Sequence, residues 1–470
     1  VEDFGIYNVV GGIIVLLGFL NHALTASTQR FIVYELGKND INELKKVFNS
    51  SIFLQCVIAV LVFVLAETAG LYFLNFQMNI PSERIYAANW VYQFTVFSFL
   101  VTIINVPFLS LIMAYEKMGV YAIIGIIEVF LKLIIALILI KINSDKLILY
   151  SFFLFLVSIF TSFSHRIYSS NRFPDLKSSG FIWDKVVIQR MATFAGWNLI
   201  GVGAGVSYNQ GINILLNIYF GPVVNAARGI SFQVYSALNN FIANFQIAIN
   251  PSITKEFAKG NVKESLSLVF SGTKFVFFLA LLIAIPFFID TERILTWWLK
   301  IVPENTILFT KLIIIEVLIG SLSGSLQNFI QSTGKIRNYQ LVISSILLLN
   351  LPVSYFFLEN GFGSEVTFIV SIFISFFALL MRILILNREV SFPGLLFFKE
   401  IIIRVLLVSL VGFFLISYIY PFLFEFSFGF PIFLFFSTTI IIVLVGAVGI
   451  NNSERYLVFS KIKRIFNFRN

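Results

Sequence analysis

Thirteen apolar stretches follow one another with few polar breaks. They run at roughly 5–33, 47–73, 89–114, 119–140, 147–168, 190–219, 222–250, 266–289, 306–333, 336–358, 365–387, 396–420 and 428–450, each long enough to cross a bilayer. This pattern leaves one class of fold open. In hydrocarbon every backbone N–H and C=O must be satisfied within the spanning structure, so consecutive spans of about 20 residues are helices. Composition agrees, with 58% hydrophobic and 12% charged residues, where a soluble domain has about 45–50% and about 25%. The fold class predicted is an all-α polytopic membrane protein with about 13 transmembrane helices.

The chain also echoes itself. Glu35, Leu36, Lys38, Ile41 and Glu43 recur in type as Glu256, Phe257, Lys259, Val262 and Glu264, at an offset of 256 minus 35, or 221. Ile112, Lys117 and Tyr121 recur as Ile330, Lys335 and Tyr339, at 330 minus 112, or 218. Two echoes at nearly one offset, between apolar segments in the same order, predict two like halves, an arrangement that in membrane chains places a binding site between them.

Basic residues alternate from loop to loop. Lys38, Lys45 and Lys46, then Lys117, then Arg166, Arg172, Lys177 and Lys185, then Lys255, Lys259 and Lys263, then Lys335 and Arg337, then Arg388 and Lys399 mark one side. Arg455, Lys461, Lys463, Arg464 and Arg469 add a basic tail to it. The opposite loops are poorer in base, residues 141–146 being the weak exception with Lys141 and Lys146. The positive-inside rule makes the basic side cytoplasmic, with the C-terminus inside. Val1 then starts outside with no leader, which predicts one more helix upstream. Fourteen helices divide as six, six and two, with both six-helix halves in one orientation. The organisation expected is an N-terminal lobe over 1–168, a cytoplasmic linker at 169–189, and a C-terminal lobe over 190–388. Two extra spans over 389–450 and the tail 451–470 complete it.

The net charge of +9, from 33 Lys and Arg against 24 Asp and Glu, is accounted for by this sidedness and implies no nucleic-acid partner. The single cysteine, Cys56, excludes a disulfide framework, and the two histidines, His22 and His165, are far apart, so no metal site is expected. The sequence has no phosphate-binding Gly-rich loop, no His-Glu-x-x-His and no Gly-x-Ser-x-Gly, so neither ATP hydrolysis nor catalysis is predicted, and no cofactor.

The segment 222–250 is apolar enough to be read as a span, yet one face of it is polar. Asn225, Arg228, Phe232, Tyr235, Asn239, Ala243, Gln246 and Asn250 are spaced 3, 4, 3, 4, 4, 3 and 4, which is one helix face. Such a stripe faces another helix or a wet cavity, not lipid. Subtracting 221 gives Phe4, Tyr7, Gly11, Ile14, Gly18, His22, Thr25 and Gln29, a weaker stripe. The preceding segment adds Asn198, Asn209 and Asn213 among several glycines. Helix–helix glue and cavity lining are both open for each amide. Arg228 lies about six residues inside its helix, roughly 9 Å deep. Two readings stand for it: bidentate contact to a phosphate, or snorkelling to headgroups. Glu128 and Lys132, four apart, are expected to neutralise each other. Glu128, Glu67 and Glu316 are also the candidates for coupling to a proton or sodium gradient. Arg30 and Lys274, near helix ends, are expected to snorkel.

Several stretches carry a resemblance: Phe194 to Leu199 (Phe-Ala-Gly-Trp-Asn-Leu), Asn213 to Asn217 (Asn-Ile-Leu-Leu-Asn), Gly221 to Gly229 (Gly-Pro-Val-Val-Asn-Ala-Ala-Arg-Gly), Asn250 to Lys255 (Asn-Pro-Ser-Ile-Thr-Lys), Val1 to Asn8 and Gln29 to Phe31. With these the chain resembles, over essentially its whole length, the bacterial polysaccharide transporter family of O-antigen and capsule flippases. The resemblance implies the fold of the multidrug and oligosaccharidyl-lipid exporter superfamily, two six-helix lobes around a V-shaped cavity with extra C-terminal helices. It implies a lipid-linked oligosaccharide substrate, undecaprenyl diphosphate carrying a sugar unit, turned across the bacterial cytoplasmic membrane for lipopolysaccharide or capsule. Other polysaccharide assembly proteins and membrane lipids are the implied partners. It also implies that a cationic cavity residue, here Arg228, meets the diphosphate. A cation-coupled multidrug antiporter of the same superfamily is the alternative, and a membrane polysaccharide polymerase or ligase the third.

Overall fold

The computed structural model of the chain describes residues 18–76, 81–142, 145–176, 184–423, 429–451 and 454–455, the side chains of Phe19, His22, Asp175 and Leu423 excepted. Among these residues the chain is all helix, with no strand. The long helices are α1 (Gly18–Lys38), α2 (Ile41–Phe76), α3 (Ser82–Ala114), α4 (Met118–Lys141), α5 (Lys146–Arg172), α6 (Lys185–Phe220), α7 (Pro222–Ala258), α8 (Val262–Ile289), α9 (Thr306–Thr333), α10 (Arg337–Glu359), α11 (Val366–Val390), α12 (Gly394–Phe422) and α13 (Gly429–Gly449). A helix occupies each of the thirteen expected places.

Ten of them, α2–α5 and α8–α13, are long and apolar enough to cross a membrane. The chain is a multi-pass membrane protein. Among the described residues α1, α6 and α7 do not reach that apolarity, α1 being described only from Gly18. The physical reason lies in their sequences. These three helices carry the amide, hydroxyl and glycine stripes, and each such residue displaces an apolar one.

Local signals account for the helix ends. Asp40 caps α2 by accepting from the backbone N–H of Asn42 (3.1 Å) and Glu43 (3.0 Å). Asp145 does the same for α5 through Leu147 (3.0 Å) and Ile148 (3.3 Å), and it also takes a 2.7 Å ion pair from Arg84. Asp184 accepts from Val186 (2.7 Å) and Val187 (3.1 Å) at the start of α6. Gly334 ends α9 at φ +78°, a left-handed conformation that a Cβ would penalise. The loop between α5 and α6, the expected linker, lies partly outside the described residues, and so does most of the basic tail.

Two compact units are present. The first comprises residues 1–203 with Thr254–Gly260, the second Ala204–Ile253 with Asn261–Asn470. In the first, α3 is packed along α5, and Leu74, Ala88, Val91, Tyr92, Val96 and Leu147 form one of its cores. Helix α4 is peripheral, with only 6% of its apolar segment buried. In the second unit the corresponding figure for α8 is 61%, which makes it the central post. Val276, Ala280 and Ala284 of α8 meet Val234, Leu238 and Ile242 of α7 and Ile314 and Val317 of α9.

Helices α12 and α13 belong to this second unit and are tied to α8 and to the short helix beyond its end, Thr291–Leu299. Tyr420 donates to Asp290 (2.7 Å), Trp297 of the short helix packs on Phe430 (4.6 Å), and Lys274 pairs with Glu454 (2.6 Å). Lys274 is 1% exposed, so it does not snorkel as expected. A buried ammonium needs a carboxylate, and Glu454 supplies it.

Candidate functional site

Helix α7 starts with Pro222 just after Gly221, a common opening because proline's missing N–H is not needed there. Six residues on (228 minus 222) sits Arg228, 7% exposed. Its side chain turns onto α6. Nη1 donates to Asn213 Oδ1 (3.4 Å), Nη2 donates to the Asn209 carbonyl (3.2 Å), and the guanidinium lies 4.6 Å from the Phe232 ring centre. Snorkelling is therefore not its arrangement. All three partners are neutral, and among the described residues it forms no ion pair. Its direct contacts are dipoles and a ring, and the Glu316 carboxylate acts on its charge only from beyond ion-pair distance, so an anion at contact distance would complement it.

Along the stripe below it, Phe232 stacks on Tyr235 at 4.9 Å. Asn225, Tyr235, Asn239, Gln246 and Asn250 are half-buried. Asn225 Oδ1, Asn239 Nδ2, Asn250 Oδ1 and, on α6, Asn209 Oδ1 are hidden from solvent yet have no hydrogen-bond partner. Most buried polar atoms in proteins are paired, so a run of unpaired amide atoms is a row of vacant donors and acceptors. Gln246 lies directly over Gly324 of α9, where any Cβ would collide with its amide. Glycine at 324 is what admits Gln246. Asn198, on α6, is 3% exposed.

Glu316 of α9 accepts from the Tyr208 hydroxyl (3.2 Å), which also reaches Ser371 Oγ (3.2 Å). Asn350 donates to Ser371 (2.9 Å), and Ser354 donates to Asn350 (3.0 Å). The network joins α6, α9, α10 and α11 inside the second unit. Tyr208, Ser371 and Asn350 were not among the residues singled out in the sequence, because tyrosine and serine in an apolar helix carry no pattern until their partners are known.

In the first unit, Glu67 lies in a π-helical turn, Ala66–Gly70, and accepts from Gln93 (3.1 Å). The Ala66 carbonyl, which accepts from the Leu71 backbone N–H in this turn, also accepts from the Tyr92 hydroxyl (2.8 Å). Glu128 and Lys132 pair at 2.6 Å and stay partly exposed. Gln29 is half-buried, and the side chain of His22 lies outside the described residues. Arg30 stacks over Phe31 (4.6 Å) and Tyr34 (4.7 Å) instead of reaching outward.

The internal repeat also marks positions that the sequence reading left aside. In the second unit Arg382 donates to the Tyr339 hydroxyl (3.0 Å) and to Ser323 Oγ (3.0 Å). Subtracting 218 from 339 and 323 gives Tyr121 and Asn105, and subtracting 217 from 382 gives His165. Asn105 Nδ2 lies 3.0 Å from His165 Nδ1, and Tyr121, Asn105 and His165 line one cavity. The echo offset of 218 was the signal that could have found Tyr121 and Asn105; applied to Arg382 it gives Ser164, one residue short of His165. Among the described residues no cluster of three or more His, Cys, Asp or Glu could hold a metal ion.

No family model matches the chain, and no curated protein is a significant match. Solved structures do match. One is the outward-facing conformation of a multidrug resistance MATE family transporter of the MOP superfamily. It is 12% identical at a TM-score of 0.71, covering 83% of this chain and 88% of that one. Another is a MATE P26A mutant, with the same identity and TM-score, covering 83% and 92%. A third is a MOP superfamily transporter from Pyrococcus furiosus Vc1 (DSM3638), described by a binding pocket of reverse polarity that suggests a different function. It is 12% identical with a TM-score of 0.67, covering 83% and 92%. The chain has a MATE-like transporter fold, and these structural neighbours are transporters, not enzymes.

Proposed function

We propose that this chain is a flippase that moves a lipid-linked oligosaccharide, a polyprenyl diphosphate carrying a sugar unit, across the bacterial cytoplasmic membrane by alternating access, for O-antigen, lipopolysaccharide or capsule. Arg228 carries the reading. It is a buried cation whose direct contacts are all neutral, with Glu316 beyond ion-pair distance, beside amides with unpaired atoms. A diphosphate would take the charge, and sugar hydroxyls would take the amides of Asn209, Asn225, Asn239 and Asn250. The transporter fold supports the class of activity. The basic loops support a cytoplasmic C-terminus. A proton or sodium gradient resets the cycle through Glu316, Glu67 or Glu128. Membrane lipids and other polysaccharide assembly proteins are its partners.

The test is reconstitution of the protein with a fluorescent lipid-linked oligosaccharide. Arg228→Ala lowers the rate at least about tenfold, the weight of one charge-assisted contact. Transport at the wild-type rate in that variant removes the assignment. A second reading, a cation-coupled multidrug antiporter, draws on Glu316, a carboxylate set among Tyr208 and Ser371 inside the second unit. Broad drug tolerance in overexpressing cells, lost in Glu316→Gln, would favour it.

A further inference from the structure

We infer that the first unit carries a separate site for an amphiphile, formed by α3, α4 and α5: an apolar groove for a lipid tail, Arg166 for its phosphate, and a hydroxyl-lined cavity for the sugar behind it. The inference rests on the substrate proposed above and gives it a second place to bind, away from Arg228.

The groove encloses about 190 Å³ and is walled by Val101, Ile104 and Phe108 of α3 and Ile159 and Phe163 of α5, with Arg166 among its lining residues. Arg166 is exposed, lies over the Phe108 ring (5.6 Å to its centre), and forms no ion pair among the described residues. It sits six residues before the end of α5 (172 minus 166), about 9 Å along the axis. An apolar trough with an arginine near the helix end suits a tail whose anionic head stops at the membrane interface.

The neighbouring cavity is of different chemistry. It holds about 420 Å³, within the usual ~300–1,000 Å³ of small-molecule sites. Thr95, Ser98, Thr102 and Asn105 of α3 are spaced 3, 4 and 3, so one helix face lines it, and Ser158, Thr161 and His165 of α5 do likewise. The hydroxyl protons are already engaged. Thr95 donates to the Val91 carbonyl (2.7 Å), Ser98 to Phe94 (2.7 Å), Thr102 to Ser98 (2.9 Å) and Ser158 to Phe155 (2.7 Å). Their oxygens therefore offer lone pairs, and the lining asks for a ligand rich in O–H donors. That back-bonding is common for serine and threonine in membrane helices and would by itself need no ligand. Asn105 and His165 go further. Each is 8% exposed, and once Asn105 Nδ2 has donated to His165 Nδ1, Asn105 Oδ1 and His165 Nε2 remain buried and unpaired. They present one acceptor and one donor in the same cavity, groups that sugar hydroxyls can meet.

Groove and cavity adjoin. Asn105 and Ser162 line both. Arg166 lines the groove, and the paired Glu128 and Lys132 line the cavity beside the hydroxyls, so trough, Arg166 and cavity are neighbouring places for tail, phosphate and sugar. By the charge pattern Arg166 belongs to the cytoplasmic side, where such a lipid would be loaded.

The experiment uses the purified protein in phosphatidylcholine nanodiscs, with a radiolabelled polyprenyl-diphosphate-linked sugar as probe and Arg228→Ala as background. In that background binding persists. Adding Arg166→Ala weakens it at least about tenfold, and adding Arg166→Lys weakens it less. Adding Ser98→Phe, which fills the cavity, weakens the sugar-bearing lipid about tenfold and leaves sugar-free polyprenyl diphosphate within about twofold. Matching elution profiles and thermal transitions establish that the variants are folded, and a misfolded Arg166→Ala leaves the test to Ser98→Phe. Loss of all binding in Arg228→Ala alone, or equal competition by phosphatidylglycerol, overturns this site and leaves the proposed function standing. A wild-type protein that neither binds nor transports the probe overturns both.

Discussion

The two units answer the same polar positions in opposite ways. In the second, Arg382 is a permanent cation held by Tyr339 and Ser323, and Tyr208 closes a network with Glu316, Ser371 and Asn350. In the first, His165 lies one residue from the position that the 218 offset gives for Arg382. It satisfies Asn105 on one side only, and the helices enclose a cavity. Repeated helices thus fix where polar groups fall. Side-chain length decides whether they meet: arginine bridges two helices, and imidazole stops short and leaves room for something else.

The largest test concerns ion pairs, buried in one unit and open in the other. Lys274→Ala strands the Glu454 carboxylate and is expected to cost about 3–5 kcal/mol in thermal or denaturant unfolding. Lys132→Ala, whose partner Glu128 is partly exposed, costs about 0–1 kcal/mol. Comparable losses would remove the contrast. Next comes Tyr208→Phe, which deletes the hydroxyl between Glu316 and Ser371 and costs about 1–3 kcal/mol. The same change at Tyr121 shifts stability by less than about 0.5 kcal/mol. An exchange of the paired positions is more discriminating still. Arg382→His loses two donors and destabilises by about 1–2 kcal/mol, whereas His165→Arg is tolerated within about 1 kcal/mol because the cavity accepts the longer side chain. A severe loss in His165→Arg would mean that the cavity is not open to it. The smallest effect belongs to Gly324→Ala. Its Cβ displaces the Gln246 amide, a flexible chain end, for about 1 kcal/mol. If the proposed substrate binds along this stripe, its binding changes more than the melting temperature does.

Much of this was legible in the sequence. Apolar runs give the helices because length and hydrocarbon solvation decide the matter locally. The stripe on α7 and the depth of Arg228 follow from spacing alone. The pair Glu128 and Lys132 is four residues apart and needs no tertiary knowledge. What was not legible joins distant residues: Tyr208 with Glu316 is 108 positions apart, and Asn105 with His165 is 60. Serines and threonines in helices are equally silent, since whether they line a cavity depends on neighbours that no local pattern names. Arg228 shows the middle case, with position readable and direction not.

The ties around α8 have a practical consequence. Asp290 and Glu454 hold α12 and α13 to it at two separated points. Those helices must then travel as ballast with the second unit whenever it moves. A spin label or fluorophore placed beside Glu454 would serve as a needle on the dial for α8, reading out its displacement without a probe in the candidate site. Cutting the Lys274 tie would set the needle loose.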